Sequence, residues 1–444
     1  MEFLTQAAQF ILSLSILIVL HELGHMLPAR WFKTRVEKFY LFFDAGFSLF
    51  KFKKGDTEYG IGWIPLGGYV KISGMIDESM DKEQMKEPAK PWEFRSKPAW
   101  QRLIIMIGGV TVNLVLGFII YMGILMYWGS NHVDTNKLTE GMDVHPYMAK
   151  YEIESGDVIE SIDGESITSF DELNKKVLLR NGRTLSILKQ NGTKKEVSLP
   201  EEIDMELFHE GVMPFVQPRT RLESIKEVIK DSPAQKAGLM KGDKILAINN
   251  REIHFFDDLK TPLYENRSGK VNLIITRDND TIKIDSVNVN KNGEIGFVVE
   301  NPRANNEAYY HQDYNFGEGV FSGFNYGLNT LGDYVSQFKF IFTKKGAGSI
   351  GGFGTIGSLY GKVWDWQRFW GMTALLSIIL AFMNILPIPA LDGGHVMFLI
   401  YEIISGKPPS DKFLTKAQVV GMVILLSLLV YANGMDIVRW LSGS

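Results

Sequence analysis

Apolar residues gather in four blocks free of Asp, Glu, Lys and Arg: 3–20, 103–133 with an apolar core ending at Trp128, 369–391 and 417–435. Each is close to the roughly 20 residues that cross a hydrocarbon layer as a helix. The pattern predicts four membrane-spanning helices. The first block has no basic flank before it, and HELGH rather than a small-residue cleavage site follows it, so it reads as a retained span. Asn384, Pro387 and Pro389 interrupt the third block, for which a buried soluble helix is the alternative.

Between the second and third blocks the pattern changes. Residues 129–366 alternate short β-like runs with turn signals such as Asn181-Gly182 and Asn191-Gly192. They contain a repeat: GDVIESID at 156–163 aligns with GDKILAIN at 242–249. The same 86-residue offset relates Ile167 to Ile253, Phe170 to Phe256, Asp171 to Asp257 and Leu173 to Leu259. One ungapped register over so many positions implies two tandem copies of one fold. Further on, Phe316, Val320, Phe321, Phe324, Leu328, Leu331, Val335 and Phe338 fall at helical spacing. An amphipathic helix in the membrane interface and one packed on the soluble modules both give that pattern. Residues 42–72 alternate as short strands joined by Gly turns, a β-hairpin, and the mixed-charge stretch 75–92 reads as a cytoplasmic loop without chemistry.

Charge sets orientation. Residues 28–102 carry 14 Lys+Arg, so this loop is expected in the cytoplasm and 129–366 outside, with both termini outside as well. Over all 444 residues, 47 Lys+Arg against 51 Asp+Glu leave a net charge of −4, and no basic field for nucleic acid. The absence of cysteine excludes disulfides, zinc ribbons and thiol catalysis, and any zinc must sit on His and carboxylate ligands.

The strongest chemical signal is His21-Glu22-Leu23-Gly24-His25 at the end of the first span. Histidines at i and i+4 share a helical face and can hold one Zn²⁺, with the adjacent Glu placed to take a proton from the attacking water. Three ionisable groups at membrane depth are too costly to be packing. A catalytic zinc needs a third protein ligand. Asp392 and His395, at the end of the third block, are the candidates at comparable depth, and chemistry alone does not choose between them.

HExxH in a first span with Asn384-Ile385-Leu386-Pro387-Ile388-Pro389-Ala390-Leu391-Asp392-Gly393-Gly394 in a late one resembles the site-2 family of intramembrane metalloproteases. SPAQKAGLMKGDKILAINNREI at 232–253 resembles PDZ domains of bacterial proteases, and a tandem pair of these narrows the likeness to the regulator of sigma-E protease group. The first copy departs from that pattern, with Tyr151-Glu152-Ile153 where Ala-Gly-Leu would stand. The resemblance implies a multi-pass α-helical membrane protein of four transmembrane helices, with a membrane-associated β-hairpin or sheet and two inserted PDZ-like α/β domains. The expected divisions are a membrane half at 1–128, PDZ-like copies at 129–217 and 218–304, a helix and linker at 305–366, and a second membrane half at 367–444. Carried over, His21, His25 and Asp392 become the zinc ligands, Glu22 the base, and Asn384 a substrate or oxyanion contact. Pro387 and the reentrant strand residues Gly67, Gly68 and Tyr69 become substrate contacts. Gly351–Gly357 resembles a further family segment but receives no role, and Asn113 reads as an interhelical hydrogen bond.

The implied activity is zinc-dependent endoproteolysis of single-span proteins within the bacterial inner membrane, near its cytoplasmic side. Expected substrates are anti-sigma-factor-like proteins, with spent signal peptides as a second class. An upstream site-1 protease would act first on the same substrate, and the periplasmic PDZ-like pair would exclude uncut substrates by size. The surrounding lipid is the other partner. A zinc transporter and a membrane-tethered PDZ scaffold are the rival readings: the first has no need of Glu22 beside the metal, the second no use for HELGH.

Overall fold

The computed structural model describes residues 2–65, 67–75, 88–299 and 306–442; of the 75–92 stretch, 76–87 lie outside the described residues. The chain forms two compact units, Met1–Gly129 with Asp313–Ser444, and Ser130–Gln312.

The first span is part of a longer helix, α1 (Glu2–Trp31), so HELGH lies in the helix interior rather than at its end. Strands β1 (Val36–Leu41), β2 (Phe50–Lys54), β3 (Thr57–Ile61) and β4 (Tyr69–Ile72) follow. They form one sheet in the order β2-β3-β1-β4, with β1 parallel to β3 and antiparallel to β4. The expected hairpin or sheet is a four-stranded sheet, and β4 lies at its edge. The second span is α2 (Ala99–Trp128). It meets α1 backbone to backbone: a Cβ on Gly108 would stand 2.0 Å from the Gly24 carbonyl oxygen. Small residues of this kind let membrane helices approach closely.

The second unit realises the repeat. Strand β5 (Ser130–Val133) opens it, followed by β6 (Met142–Val144), β7 (Val158–Ile162), β8 (Glu165–Ser166), α3 (Phe170–Leu179), β9 (Thr184–Leu188) and β10 (Lys194–Ser198). After α4 (Ile203–Glu210) and β11 (Val216–Pro218), the pattern recurs as β12 (Ile225–Val228), α5 (Pro233–Lys236), β13 (Lys244–Ile248), β14 (Arg251–Glu252), α6 (Phe256–Glu265), β15 (Lys270–Arg277) and β16 (Asp280–Asn288). The sheets β10-β9-β7-β8 and β14-β13-β15-β16 match strand for strand, since β16 pairs with β15 as β10 does with β9. Strand β17 (Phe297–Val299) pairs with β12, and β18 (Tyr309–Gln312) closes on β5. The starts of β7 and β13, β8 and β14, α3 and α6, β9 and β15, and β10 and β16 all differ by the offset read from the sequence. Ile159 and Ile162 of β7, Leu173 of α3 and their counterparts Ile245 and Ile248 of β13 and Leu259 of α6 are buried in the two cores.

The chain then returns to the first unit through α7 (Phe316–Ile341), α8 (Lys344–Ser349), α9 (Phe353–Ser358), α10 (Trp366–Ile385), α11 (Asp392–Ser405) and α12 (Asp411–Ser442). Among the described residues, α1, α2, α10 and Lys412–Ser442 of α12 are the four helices long and apolar enough to cross a membrane. Helix α7 packs lengthwise within this unit. Gly319, Gly323 and Gly327 bring it against Met126, Met122 and Phe118 of α2, while Tyr334 and Phe338 meet Phe382 of α10 edge-on. Helix α9 is tied to α12 by Asn433 and Asp436, whose side chains accept the backbone N–H groups of Phe353 and Thr355.

The third apolar block is not one helix. Pro387 and Pro389 push the residues before them out of the helical region, α10 stops at Ile385, and Ala390 takes a left-handed φ of +81°. Asp392 therefore begins a new helix instead of ending an old one.

Candidate metal centre

The centre is assembled from α1, α2 and the start of α11. On α1, the i, i+4 spacing brings the Nε2 atoms of His21 and His25 within 3.2 Å of each other. The start of α11 brings Asp392 Oδ2 to 3.3 Å from each of them. Close backing is needed to hold Asp392 there: a Cβ on Gly393 would lie 2.2 Å from the Leu386 carbonyl, and one on Gly394 2.6 Å from that of Ile388. The two glycines after Asp392 let the loop fold flat against the helix it introduces.

The donor atoms test the fit of a cation. His25 Nδ1 lies 2.8 Å from the Ile105 carbonyl, which can only accept, so Nδ1 carries a proton and, in the neutral ring, Nε2 is the nitrogen whose lone pair can bind a metal. That lone pair faces a second imidazole nitrogen and a carboxylate oxygen, and Asp392 Oδ2 is buried without a hydrogen-bond partner. Acceptors do not gather this way unless a positive charge belongs among them. A tetrahedral ion with arms of about 2.0 Å has ligand–ligand edges of about 3.3 Å, and the three edges found are 3.2, 3.3 and 3.3 Å. Among the described residues these three form the one group of His, Cys, Asp and Glu side chains with metal-binding spacing. His395 is not in it; it lines a cavity of about 310 Å³ with Arg102, Glu402 and Gln418.

Behind the ligands stand groups that fix their orientation, as metal sites require. Ile105 holds His25, and Asn113 of α2 lies 3.2 Å from His21 Nδ1. With Nε2 turned to a metal, Nδ1 carries hydrogen, and the Asn113 amide turned over presents Oδ1 to accept it. Gly109 of α2 leaves room for both rings: its Cβ would be 2.4 Å from His25 Nε2 and 2.7 Å from His21 Cε1. Sequence reading passed over Gly109, although the pair Gly108-Gly109 inside an apolar span is the signal that could have found it.

The other expected site residues are spread more widely. The backbone N–H of Val70 faces the Glu22 carboxylate, which sets the general-base candidate beside edge strand β4. Gly68 lies against α1, where a Cβ would come within 2.5 Å of Ile18. Gly67 borders the Phe43 ring. The Tyr69 side chain is engaged within the sheet, stacked on Tyr40 and donating to Asp44 at 2.9 Å. Asn384 is half-buried in the last turn of α10, and Pro387 is exposed in the loop beyond it.

A model of peptidase family M50 matches residues 9–428. The chain is similar over 99% of its length to the full length of a protein of Haemophilus influenzae named regulator of sigma E protease, with 29% identity. It is 27% identical to the protease RseP of Yersinia pestis, over 99% of this chain and all of that one. A relative in Neisseria meningitidis, named provisionally as a zinc metalloprotease, is 28% identical over 97% of this chain and 98% of its own.

Proposed function

This chain belongs to peptidase family M50 and is a zinc metalloprotease of the site-2 type, and from that premise we propose that it cleaves single-span membrane proteins inside the bilayer, with His21, His25 and Asp392 as zinc ligands and Glu22 as general base. The observation that carries this reading is the triangle of acceptor atoms whose edges suit a tetrahedral ion.

Zinc in that site supplies a Lewis acid for the scissile carbonyl and acidifies the attacking water. Glu22, adjacent to the first ligand on α1, takes the water's proton and returns it to the leaving nitrogen. Asn384 donates to the developing oxyanion. A substrate helix has its peptide groups tied in i→i−4 bonds and must open before attack. Strand β4 lies at a sheet edge beside Glu22, and Gly67 and Gly68 allow close approach there, so the edge offers an unwound segment an alternative set of partners. Helix-weakening residues should therefore mark preferred substrates.

The remaining features follow the same reading. The two copies within 130–312 act as PDZ-like modules that keep substrates out until a site-1 protease has trimmed them. Anti-sigma-factor-like proteins are the main class and spent signal peptides the second. The bacterial inner membrane is the location, with the copies and both termini periplasmic and the centre near the cytoplasmic side. Cleavage of a tagged single-span substrate by the zinc-loaded wild type and Glu22→Gln tests this. The wild type should cut and the variant lose about 10²–10⁴-fold in rate; equal cleavage by both, or by neither, contradicts it.

A further inference from the structure

The loop that presents Asp392 is held from outside as well as from within. Of its N–H groups, that of Leu386 donates to Met383, that of Ile388 to Leu386 and that of Leu391 to Ile388, while Pro387 and Pro389 have none. The Ala390 N–H remains, and the buried side chain of Gln418 on α12 takes it, Oε1 accepting at 3.2 Å. One turn along α12, Gly421 meets the same peptide group at its other end: a Cβ there would fall on the Pro389 carbonyl. The Pro389 carbonyl and the Ala390 N–H belong to one peptide plane, so two residues of α12 fix its direction.

That plane is strained. Ala390 has φ +81°, in the region that L side chains disfavour, and it carries no polar side chain to compensate. Half a turn of the plane would carry φ from +81° to about −100°, within the ordinary range. The same turn would take the N–H from Gln418 and swing the carbonyl off Gly421. Strain of this kind persists only where the surroundings over-determine it, and it gathers at functional sites. A general interhelical hydrogen bond, the usual use of an amide in a membrane helix, does not require this partner. Gln418 meets the one loop N–H that has no acceptor within the loop, on the strained residue, two positions before the ligand. Helix α12 is the least buried of the four long apolar helices, so this grip is among the few places where it engages the rest of the unit closely.

We propose that Gln418, with Gly421 beside it, is a positioning residue for the metal centre. It holds the Pro389–Ala390 peptide in its strained orientation, and that orientation starts α11 where Asp392 Oδ2 reaches the two histidines. The fourth apolar helix supplies no ligand, yet it is joined to the third one through this single peptide. The proposal rests on the reading of His21, His25 and Asp392 as zinc ligands.

Chelator competition on the full-length protein in lipid nanodiscs measures zinc affinity apart from cleavage. Gln418→Met keeps the length of the side chain and removes the acceptor, and should weaken zinc about 10- to 100-fold. Ala390→Gly, which takes a positive φ without strain, should bind zinc within about threefold of the wild type. Added to Gln418→Met, it should recover most of the lost affinity, a rescue that a packing role for Gln418 would not show. Gly421→Ala presses on the same peptide from its carbonyl end and should weaken zinc likewise; it decides the outcome if Gln418→Met does not fold. Wild-type affinity in these two variants, or a loss in Gln418→Met that Ala390→Gly leaves unrepaired, overturns the positioning role while a zinc-binding wild type keeps the metal reading. A wild type that takes up no zinc defeats the metal reading, and the positioning role with it.

Discussion

Asp243 in the repeat unit and Asp392 in the membrane unit are both carboxylates taken out of water, and their surroundings differ in kind. Asp243 is wholly buried, accepts the Met240 N–H at 2.8 Å, and is gripped by Arg277 at 2.7 and 2.8 Å. Its counterpart in the first copy, Asp157, is held the same way by the Glu154 N–H at 2.9 Å and by Lys189 at 2.6 Å. Every lone pair that matters has a donor. Asp392 Oδ2 has no arginine, lysine or backbone N–H: it faces two imidazole nitrogens at 3.3 Å, each of which can serve as a metal ligand when neutral. Buried charge that is fully paired holds a fold together, whereas buried charge left short of positive partners marks where something else binds.

The difference can be pressed from both sides. Asn384→Ala, aimed at chemistry alone, should lower kcat about 10²–10³-fold with zinc content and melting temperature unchanged, read by single-turnover cleavage and metal analysis. Asp243→Asn should do the reverse, destabilising unit 130–312 by about 2–4 kcal/mol in denaturant titration and leaving zinc bound. That loss should depend on pH. Burial pushes the Asp243 carboxyl up, but the Arg277 hydrogen bonds, the Met240 N–H and the Arg277 charge outweigh it and hold it below the usual carboxylate range. A depressed folded pKa contributes stability above the unfolded value, about 3.9, and loses it as pH falls through the folded one. The gap between wild type and Asp243→Asn should therefore narrow below about pH 4. Gly109→Ala drives a methyl into both imidazoles and should weaken zinc about 10- to 100-fold in chelator competition. Asp157→Asn, losing a single lysine contact rather than an arginine fork, should destabilise by about 1–2 kcal/mol.

Much of this was legible in the chain itself. The apolar blocks marked the four long apolar helices, HELGH and the LDGG stretch held the three side chains that meet, and the 86-residue register foretold matching strands and helices. Side-chain period and motif spacing are local quantities, which is why they could be read. What escaped was set by contact between distant segments. Gly109 matters through two rings on another helix, and Gly421 through the Pro389 carbonyl, 1.6 Å from where its Cβ would be. Residue chemistry left Asp392 and His395 both open and only the family resemblance favoured Asp392; the physical reason lies in a proline-broken loop that starts α11 at Asp392 and places His395 at a different cavity. The placement of α7 depends on three glycines spaced by four, a small-residue stripe visible in the sequence but masked there by the stronger aromatic pattern.

Asp392 is proposed to complete a metal site with His21 and His25. Zinc per chain, measured by mass spectrometry on purified wild type, Glu22→Gln, Asp392→Ala and His395→Ala, addresses it directly. About one zinc is expected in the wild type, Glu22→Gln and His395→Ala, and little in Asp392→Ala. Full zinc in Asp392→Ala, or its loss in His395→Ala alone, would contradict it.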